Sequence, residues 1–476
     1  MFVRKFVAPT AAAIALAVGS ASTVAVIPPT VAIAQEADGV NAPSPIDAAL
    51  NSSKQVESAF GSAQDTSSAF GLNFWEILYK ILDFFGLAKY FENFPFFALP
   101  GWKNPDRETR YIPKAETVSE GLVVTLIGDL LGPGVKYIMG LGAADLGMMA
   151  PLNDDGEFAI IFGDSFTGGK FGEGQWFSPT GMVGEKDSSG TIRVTRPLND
   201  GIRAQPLIGY YSNIDMTTFI PSDVINLDGT LYMQGMWNKG LGNVTGTEIW
   251  KSTDNGKTWE SVWKGDQFHL KGMGNLLSWE KGPDGYIYVV SSQFKRQDPV
   301  YLSRFRPWNI DDRDLWESYD PKTKTWGSKA TPILRSYVKA GEMNLRYIQG
   351  HWVLAMFNEG TASIEVRVSK EIATNWDSIK PAHVVVAGRG GWYAPQNAHN
   401  FTQLYGGYIV PGSTLDNLDL VVSQWNTGDN SRYMSTQFNV KGLDKFFGIE
   451  SAPVSHTTVG NQDVIEVAAE NVTPRD

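Results

Sequence analysis

From about residue 116 to residue 447, apolar positions come in short Val/Ile/Tyr/Phe/Trp runs broken by Gly, Asn and Asp, with little sustained helical periodicity. Runs of that length bounded by turn formers predict strands. The clearest are residues 225–233, 247–252, 286–291, 351–357, 363–368 and 418–423. Roughly 330 residues of this kind fit an all-β, five-bladed β-propeller with about 65 residues per blade. A double jelly roll is the architectural alternative.

Upstream the pattern changes three times. Arg4 and Lys5 precede an apolar run to Ile27, and Ala32-Ile33-Ala34 supplies a small-x-small cleavage pattern, so residues 1–34 read as a secretory signal peptide. Pro28 and Pro29 interrupt the run, and no stop-transfer flank follows; an uncleaved anchor is the alternative. Residues 35–70, rich in Ala, Ser, Asn, Asp and Gln, read as a disordered linker. Within 71–115, Phe74, Trp75, Ile77, Leu78, Ile81, Leu82, Phe84, Phe85 and Leu87 fall on helical spacing, with Glu76, Lys80, Asp83 and Lys89 between them. That helix is too short and too charged to span a bilayer. It is expected to dock on the main domain, with envelope association or a gate over the site as alternatives. Residues 448–476 read as a flexible tail without an anchor or sorting motif. The expected setting is therefore secretion or the cell envelope, with no membrane span left after signal cleavage, and a monomer.

Charge and composition narrow the chemistry. Removing Arg4 and Lys5 leaves 38 basic against 51 acidic residues, a net −13 that argues against a nucleic-acid partner. The absence of cysteine excludes a thiol nucleophile and a thiolate metal site. His269, His351, His383, His399 and His456 form no H-E-x-x-H pair, and neither a G-x-S-x-G elbow nor a P-loop is present. No catalytic metal or cofactor is expected. A structural calcium ion, at Asn153-Asp154-Asp155-Gly156 or in a propeller channel, is compatible with the sequence, although EF-hand spacing is absent. Fifteen tryptophans and seventeen tyrosines exceed what a core alone usually needs, and aromatic faces stack well on sugar rings.

Residues 142–166 combine a hairpin pattern with two carboxylates. An apolar approach through Leu141 and Leu146 leads to the turn at Asn153 to Gly156, then to the β-rich run from Phe158 to Phe162. Asp145 and Asp164 are equidistant from the centre of that turn, so an unbulged register sets them opposite each other, with Cβ atoms roughly 4.5–5.5 Å apart. Like charges that close push one pKa upward and leave one acid protonated beside one base. Glycoside hydrolysis requires that division. In a simple register the short separation favours direct nucleophilic attack and retention. Against this, Gly163 and Asp164 also suit a plain strand end, and Pro151, lacking a ladder donor, invites a bulge.

Ser252-Thr253-Asp254-Asn255-Gly256-Lys257-Thr258-Trp259 matches the Asp-box hairpin, in which Ser252 and Asp254 hold the turn, Gly256 takes positive φ and Trp259 packs between strands. Degenerate echoes lie at 319–326 and 369–376. These boxes specify fold and say little about chemistry.

Asp145-Leu-Gly147, Phe162-Gly-Asp-Ser-Phe166, the Asp-box and Tyr405-Gly-Gly-Tyr-Ile-Val-Pro-Gly-Ser413 leading to Val422-Ser-Gln-Trp-Asn426 together resemble glycoside hydrolase family 183, formerly a domain of unknown function (DUF4185). The resemblance covers roughly residues 118–440. It implies an endo-acting D-arabinanase of mycobacterial-type cell walls on a five-bladed propeller, with arabinogalactan or lipoarabinomannan as the polysaccharide partner. It assigns the catalytic carboxylates to Asp145 and Asp164, one to protonate the departing oxygen and the other to attack or activate water, the order left open. Loop ends after strands assemble propeller sites, which makes Trp237, Asn358, Trp392, Gln396, His399 and Trp425 candidates for sugar contact. The competing readings are a carbohydrate-binding propeller without turnover and a sialidase-like glycosidase. The latter needs an arginine triad, for which the sequence offers no early Arg-Ile-Pro signature.

Overall fold

The structure, a computed structural model, describes residues 118–132, 134–152, 155–210, 217–240, 242–388, 403–430 and 432–450, with the backbone of 455–459 and 462–466. Strand β1 (Val123–Asp129) precedes five antiparallel sheets. The first holds β2–β6 (Ala143–Pro151, Phe158–Phe166, Trp176–Phe177, Thr180–Lys186, Ile192–Pro197) and the second β7–β10 (Thr217–Leu227, Thr230–Lys239, Val244–Ser252, Glu260–Gly265). The third holds β11–β15 (Leu276–Lys281, Ile287–Ser292, Tyr301–Phe305, Glu317–Asp320, Thr325–Gly327) and the fourth β16–β19 (Ala340–Ile348, His351–Asn358, Ser363–Ser369, Ala382–Val386). The fifth holds β20–β22 (Leu404–Ile409, Asn417–Trp425, Tyr433–Lys441).

The first strand of each sheet touches the first strand of the next, and β20 returns to β2. The ring is therefore a five-bladed β-propeller, as the run pattern predicts. β1 pairs with β22 from Val123↔Lys441 to Asp129↔Thr436, so the amino-terminal strand completes the fifth blade and clasps the ring shut. Arg432 reinforces the clasp with two bonds to Asp129, at 2.9 and 2.8 Å.

Strands β3, β12, β17, β18 and β21, with neighbours on both sides in their sheets, are buried along almost their whole length, and Phe162, Phe219, Trp279, Phe357, Tyr408 and Phe438 are fully buried. Strands buried on two sides read as continuous apolar runs, which is why the sequence shows runs and not alternation. One run misleads. Residues 225–233 are a hairpin, in which β7 ends at Leu227, Asp228 (φ 53°) and Gly229 (φ 88°) make the turn, and β8 starts at Thr230. Apolar residues crowd both sides of this two-residue turn and hide it.

Along the axis a polar network ties all five blades. Asp223 of β7 is completely buried and accepts both Arg346 Nη atoms at 3.0 Å, the Ser278 hydroxyl and the Trp279 amide. Arg346 also donates to the Met149 carbonyl of β2, and Asn344 accepts the Ile409 amide of β20. A buried charge of this kind is tolerable only when paired and hydrogen-bonded throughout, and Arg346 meets that requirement on the axis.

The Asp-box closes β9 to β10. Gly256 (φ 84°) donates its amide to Ser252 Oγ at 2.8 Å, Asp254 accepts the Thr258 amide and hydroxyl, and Trp259 Nε1 donates to the Gly256 carbonyl. In the echo at 319–326, Asp320 accepts the Lys322 amide at 3.0 Å in the β14–β15 turn. Both are outer-edge turns, distant in role from the site.

The signal peptide, the linker and the apolar helix of 74–97 lie outside the described residues, as do Asn153 and Asp154 of the suggested calcium turn. Beyond a short helix, Leu443–Phe447, the chain pairs Ser455–Val459 with Gln462–Glu466, an antiparallel hairpin that the reading of 448–476 as a flexible tail did not include. No helix among the described residues is long and apolar enough to cross a membrane.

Candidate active site

The inner strands run the same way through the ring, so their amino-terminal ends gather at one mouth. Asp145 near the start of β2, Glu342 near the start of β16 and Tyr405 at the start of β20 stand there together with Asp164 near the end of β3. They line a cleft of about 440 Å³ with Leu146, Arg296, Glu359, Trp425 and Tyr433.

The hairpin register explains how both aspartates reach it. Ladder pairs Ala143↔Phe166 and Ala144↔Ser165, then Met148↔Ile161 through Pro151↔Phe158, all follow the register that the sequence predicts. Between them Leu146 pairs with Phe162, leaving Asp145 opposite Gly163 and Asp164, with Gly147 as the compensating extra residue on β2. The simple facing pair is therefore replaced by a double bulge, and the argument for direct attack and retention loses its geometric premise. The bulge sits at Leu146 and Gly147, not at Pro151, which keeps its ladder position opposite Phe158.

Leu146 has φ 62° and Gly147 φ 114°. A leucine in the left-handed region costs roughly 1–2 kcal/mol, and the fifth blade holds it there. The Leu146 amide donates to Ser423 Oγ at 2.8 Å, and its carbonyl accepts from Ser435 Oγ at 2.8 Å. On the facing strand a Cβ at Gly163 would stand 2.6 Å from Asp145 Oδ1. Only glycine at 163 admits the aspartate in this position.

The two carboxyls live in different surroundings. Asp145 Oδ2 accepts the Tyr405 hydroxyl at 2.9 Å, while buried Oδ1 has no hydrogen-bond partner. Burial, then the negative charge of Asp164 and, less strongly, that of Glu342, push Asp145 up to about 8 against the opposing hydroxyls of Tyr433 and Tyr405. Burial also raises Asp164, but the side chains of Trp176, Ser178 and Thr218 pull it back. Trp176 Nε1 donates to Asp164 Oδ1 at 2.8 Å and Thr218 Oγ1 lies at 3.4 Å. At neutral pH Asp145 accordingly holds a proton, and Asp164 is the carboxyl with the more hydrogen-bond donors around it. Tyr405 and Tyr433, raised well above the usual phenol range by burial and then by Asp145, stay neutral donors.

A third carboxyl was not legible in the sequence. Glu342 is buried, accepts Arg296 Nη2 at 2.7 Å through Oε1, and leaves Oε2 without a partner. Nothing in Gly341-Glu342-Met343 marks it as functional, because its significance comes from standing on the strand next to β20. Tyr405 stands in the Tyr-Gly-Gly-Tyr motif and Tyr433 in no motif; both meet Asp145 from the fifth blade.

Of the proposed sugar-contact residues, Trp425 lines the cleft, stacked on Phe171 at 4.6 Å with its Nε1 donating to Asn430. Trp237 does not line it. Its ring packs edge-on against Tyr210 at 4.9 Å and Phe219 at 5.2 Å, and Nε1 donates to Glu248 at 2.5 Å, so it backs the Tyr210–Thr218 pair beside Asp164. Asn358 is buried, its amide donating to Glu365 and accepting from Gly360 N, and its neighbour Glu359 takes the cleft position instead. Both were assigned from strand-end position, which does not say which way a side chain turns. Trp392, Gln396 and His399 lie outside the described residues. Among the described residues no cluster of three His, Cys, Asp or Glu is placed to hold a metal ion, and Arg296 is the one described arginine that lines the cleft, where a sialidase-like site needs three.

A Mycolicibacterium smegmatis protein described as an uncharacterized 35.9 kDa protein in the asd 3'region is 29% identical over 325 residues, covering 63% of this chain and 92% of that one. Among solved structures, a Bacteroides ovatus protein described as a "putative hydrolase" matches with TM-score 0.51 and 13% identity over 72% of this chain and 96% of its own. A GH43_1 enzyme from Xanthomonas citri matches with TM-score 0.39 and 10% identity over 69% and 92%. At such identities the first of these likenesses is one of fold, and the second adds no argument to it. The model of the family described as domain of unknown function (DUF4185) matches residues 135–439, and the chain belongs to that family.

Proposed function

We propose that this protein is a glycoside hydrolase acting within D-arabinan chains of the cell wall, at α-D-arabinofuranosyl linkages, with Asp145 as general acid and Asp164 as nucleophile or base. The observation that carries the reading is the pair itself: two carboxyls in one cleft, Asp145 pushed up to about 8 by burial and the charge of Asp164, and Asp164 raised by burial but drawn back by the side chains of Trp176, Ser178 and Thr218. Environments that split the proton affinities of neighbouring acids assign the acid and the base.

The step follows from those states. Asp145 gives its proton to the departing glycosidic oxygen while positive charge develops at the anomeric carbon and ring oxygen. Asp164, in the carboxylate role, faces that charge and either bonds to the anomeric carbon or takes a proton from the attacking water. Tyr405 and Tyr433 stabilise the carboxylate that Asp145 becomes. Trp425 offers an aromatic wall to a sugar ring, and Glu359 and Gln403 offer polar contacts to hydroxyls. The choice of arabinan comes from the sequence resemblance and the mycobacterial relative; the cleft chemistry supports a glycan and does not name the sugar.

The test is digestion of purified D-arabinan. A ladder of oligosaccharides supports endo-cleavage; tight binding without products points to the carbohydrate-binding reading.

A further inference from the structure

Beside the carboxylate cleft lies a second hollow of about 290 Å³, which shares Gly242, Phe294 and Lys295 with it and continues past Asn243, Phe268, Lys271, Asn275 and Gln293. Three features single it out. Phe268 is 67% exposed, one of few large apolar side chains so placed among the described residues. Leu270 (φ 51°), Lys271 (φ 60°) and Gly272 (φ 92°) form three successive left-handed residues, a strained turn that throws Phe268 outward. Asn275, 4% exposed, lines the hollow and its Oδ1 has no partner in the protein.

The turn is fixed from below. Arg313, buried between the rings of Trp263 and Trp316, donates through Nη1 to the Gly274 carbonyl at 3.1 Å, and His269 packs edge-on to Trp316. Strain persists where the surroundings over-determine it, and it clusters at ligand clamps. Side-chain amides, an ammonium and one exposed aromatic face make a lining suited to a neutral polyhydroxylated ligand.

We infer that this hollow is a distal subsite that holds further sugar units of the same polysaccharide chain, with Phe268 as stacking platform and Lys271, Asn275 and Gln293 as hydroxyl partners; the inference rests on the glycan-cleaving reading above. A groove running off the cleavage point gives long chains more contact than short ones, as internal cleavage requires.

The experiment uses the full chain carrying Asp164→Asn, titrated calorimetrically with D-arabinofuranosyl oligosaccharides of increasing length. Affinity is expected to rise by about tenfold once the ligand outgrows the carboxylate cleft, and Phe268→Ala or Lys271→Ala to remove that rise. Both side chains are exposed, so both variants are expected to fold, which circular dichroism checks. A rise that survives both substitutions overturns the subsite alone. No binding at any length overturns the subsite and the glycan reading together. A rise lost in the variants, in a protein whose wild type releases no products, supports the groove and sinks the hydrolase.

Discussion

The Tyr405 hydroxyl donates to Asp145 Oδ2 at 2.9 Å across 260 residues of sequence. The bond favours the ionised carboxyl, so it limits how far burial and Asp164 raise Asp145. In Tyr405→Phe the proton is held more tightly. The alkaline limb of the rate profile, set in the wild type near pH 8 by loss of the Asp145 proton, moves to higher pH, and kcat at neutral pH falls by roughly tenfold because the new carboxylate lacks its donor. A pH profile of kcat/KM reads both effects.

Glu342 acts in the opposite sense. Its charge helps raise Asp145, so Glu342→Gln removes a repulsion and also leaves the Arg296 cation uncompensated beside the cleft. The alkaline limb is expected to move to lower pH. An unmoved limb in this variant, with normal folding by circular dichroism, would show that the third carboxyl does not communicate with Asp145.

Gly163 tests the bulge. A methyl group there meets Asp145 Oδ1 at 2.6 Å, and the carboxyl must swing away. Gly163→Ala is expected to cost about 1–3 kcal/mol in stability and on the order of 10²-fold in kcat through misplacement of the acid. Thermal unfolding and kinetics on the same preparation separate the two.

Asp145 also carries a stability signature. Its folded value, about 8, lies above the ordinary carboxyl range, so the folded chain binds a proton that the unfolded chain has already released. Stability from this group is complete below the unfolded value, near 4, and is lost as pH rises through about 8. Asp145→Asn, which cannot ionise, is expected to flatten that decline, so that its Tm exceeds the wild-type Tm at pH 9 while its cleavage of arabinan is impaired. Melting curves at pH 5, 7 and 9 decide it.

Much of this arrangement is legible in the sequence. Short apolar runs between turn residues, together with the Asp-box, point to the propeller, because two-sided burial leaves that trace on strands in the middle of the sheets such as β12, β17, β18 and β21. The symmetry of residues 142–166 about its turn puts Asp145 and Asp164 together, and the ladder keeps that symmetry at both ends of the hairpin. What escaped are features that depend on neighbouring blades. The double bulge is held by Ser423 and Ser435, Tyr405 and Tyr433 reach Asp145 from β20 and β22 of the fifth blade, and Glu342 sits in a tripeptide without a signature. Strand-end position misplaced Trp237 and Asn358 for a related reason: each satisfies its polar group against a carboxylate of its own blade, Glu248 and Glu365.

The assignment of roles to the two aspartates is tested most directly by comparing leaving groups. D-arabinan and an arabinofuranosyl oligosaccharide bearing a nitrophenyl group would be given to the wild type, Asp145→Asn and Asp164→Asn. A nitrophenolate departs without protonation, so Asp145→Asn should lose roughly 10²–10⁴-fold on arabinan and retain most of its activity on the nitrophenyl substrate, whereas Asp164→Asn should lose both. The reverse pattern, or arabinan cleavage undiminished in either variant, would contradict the account.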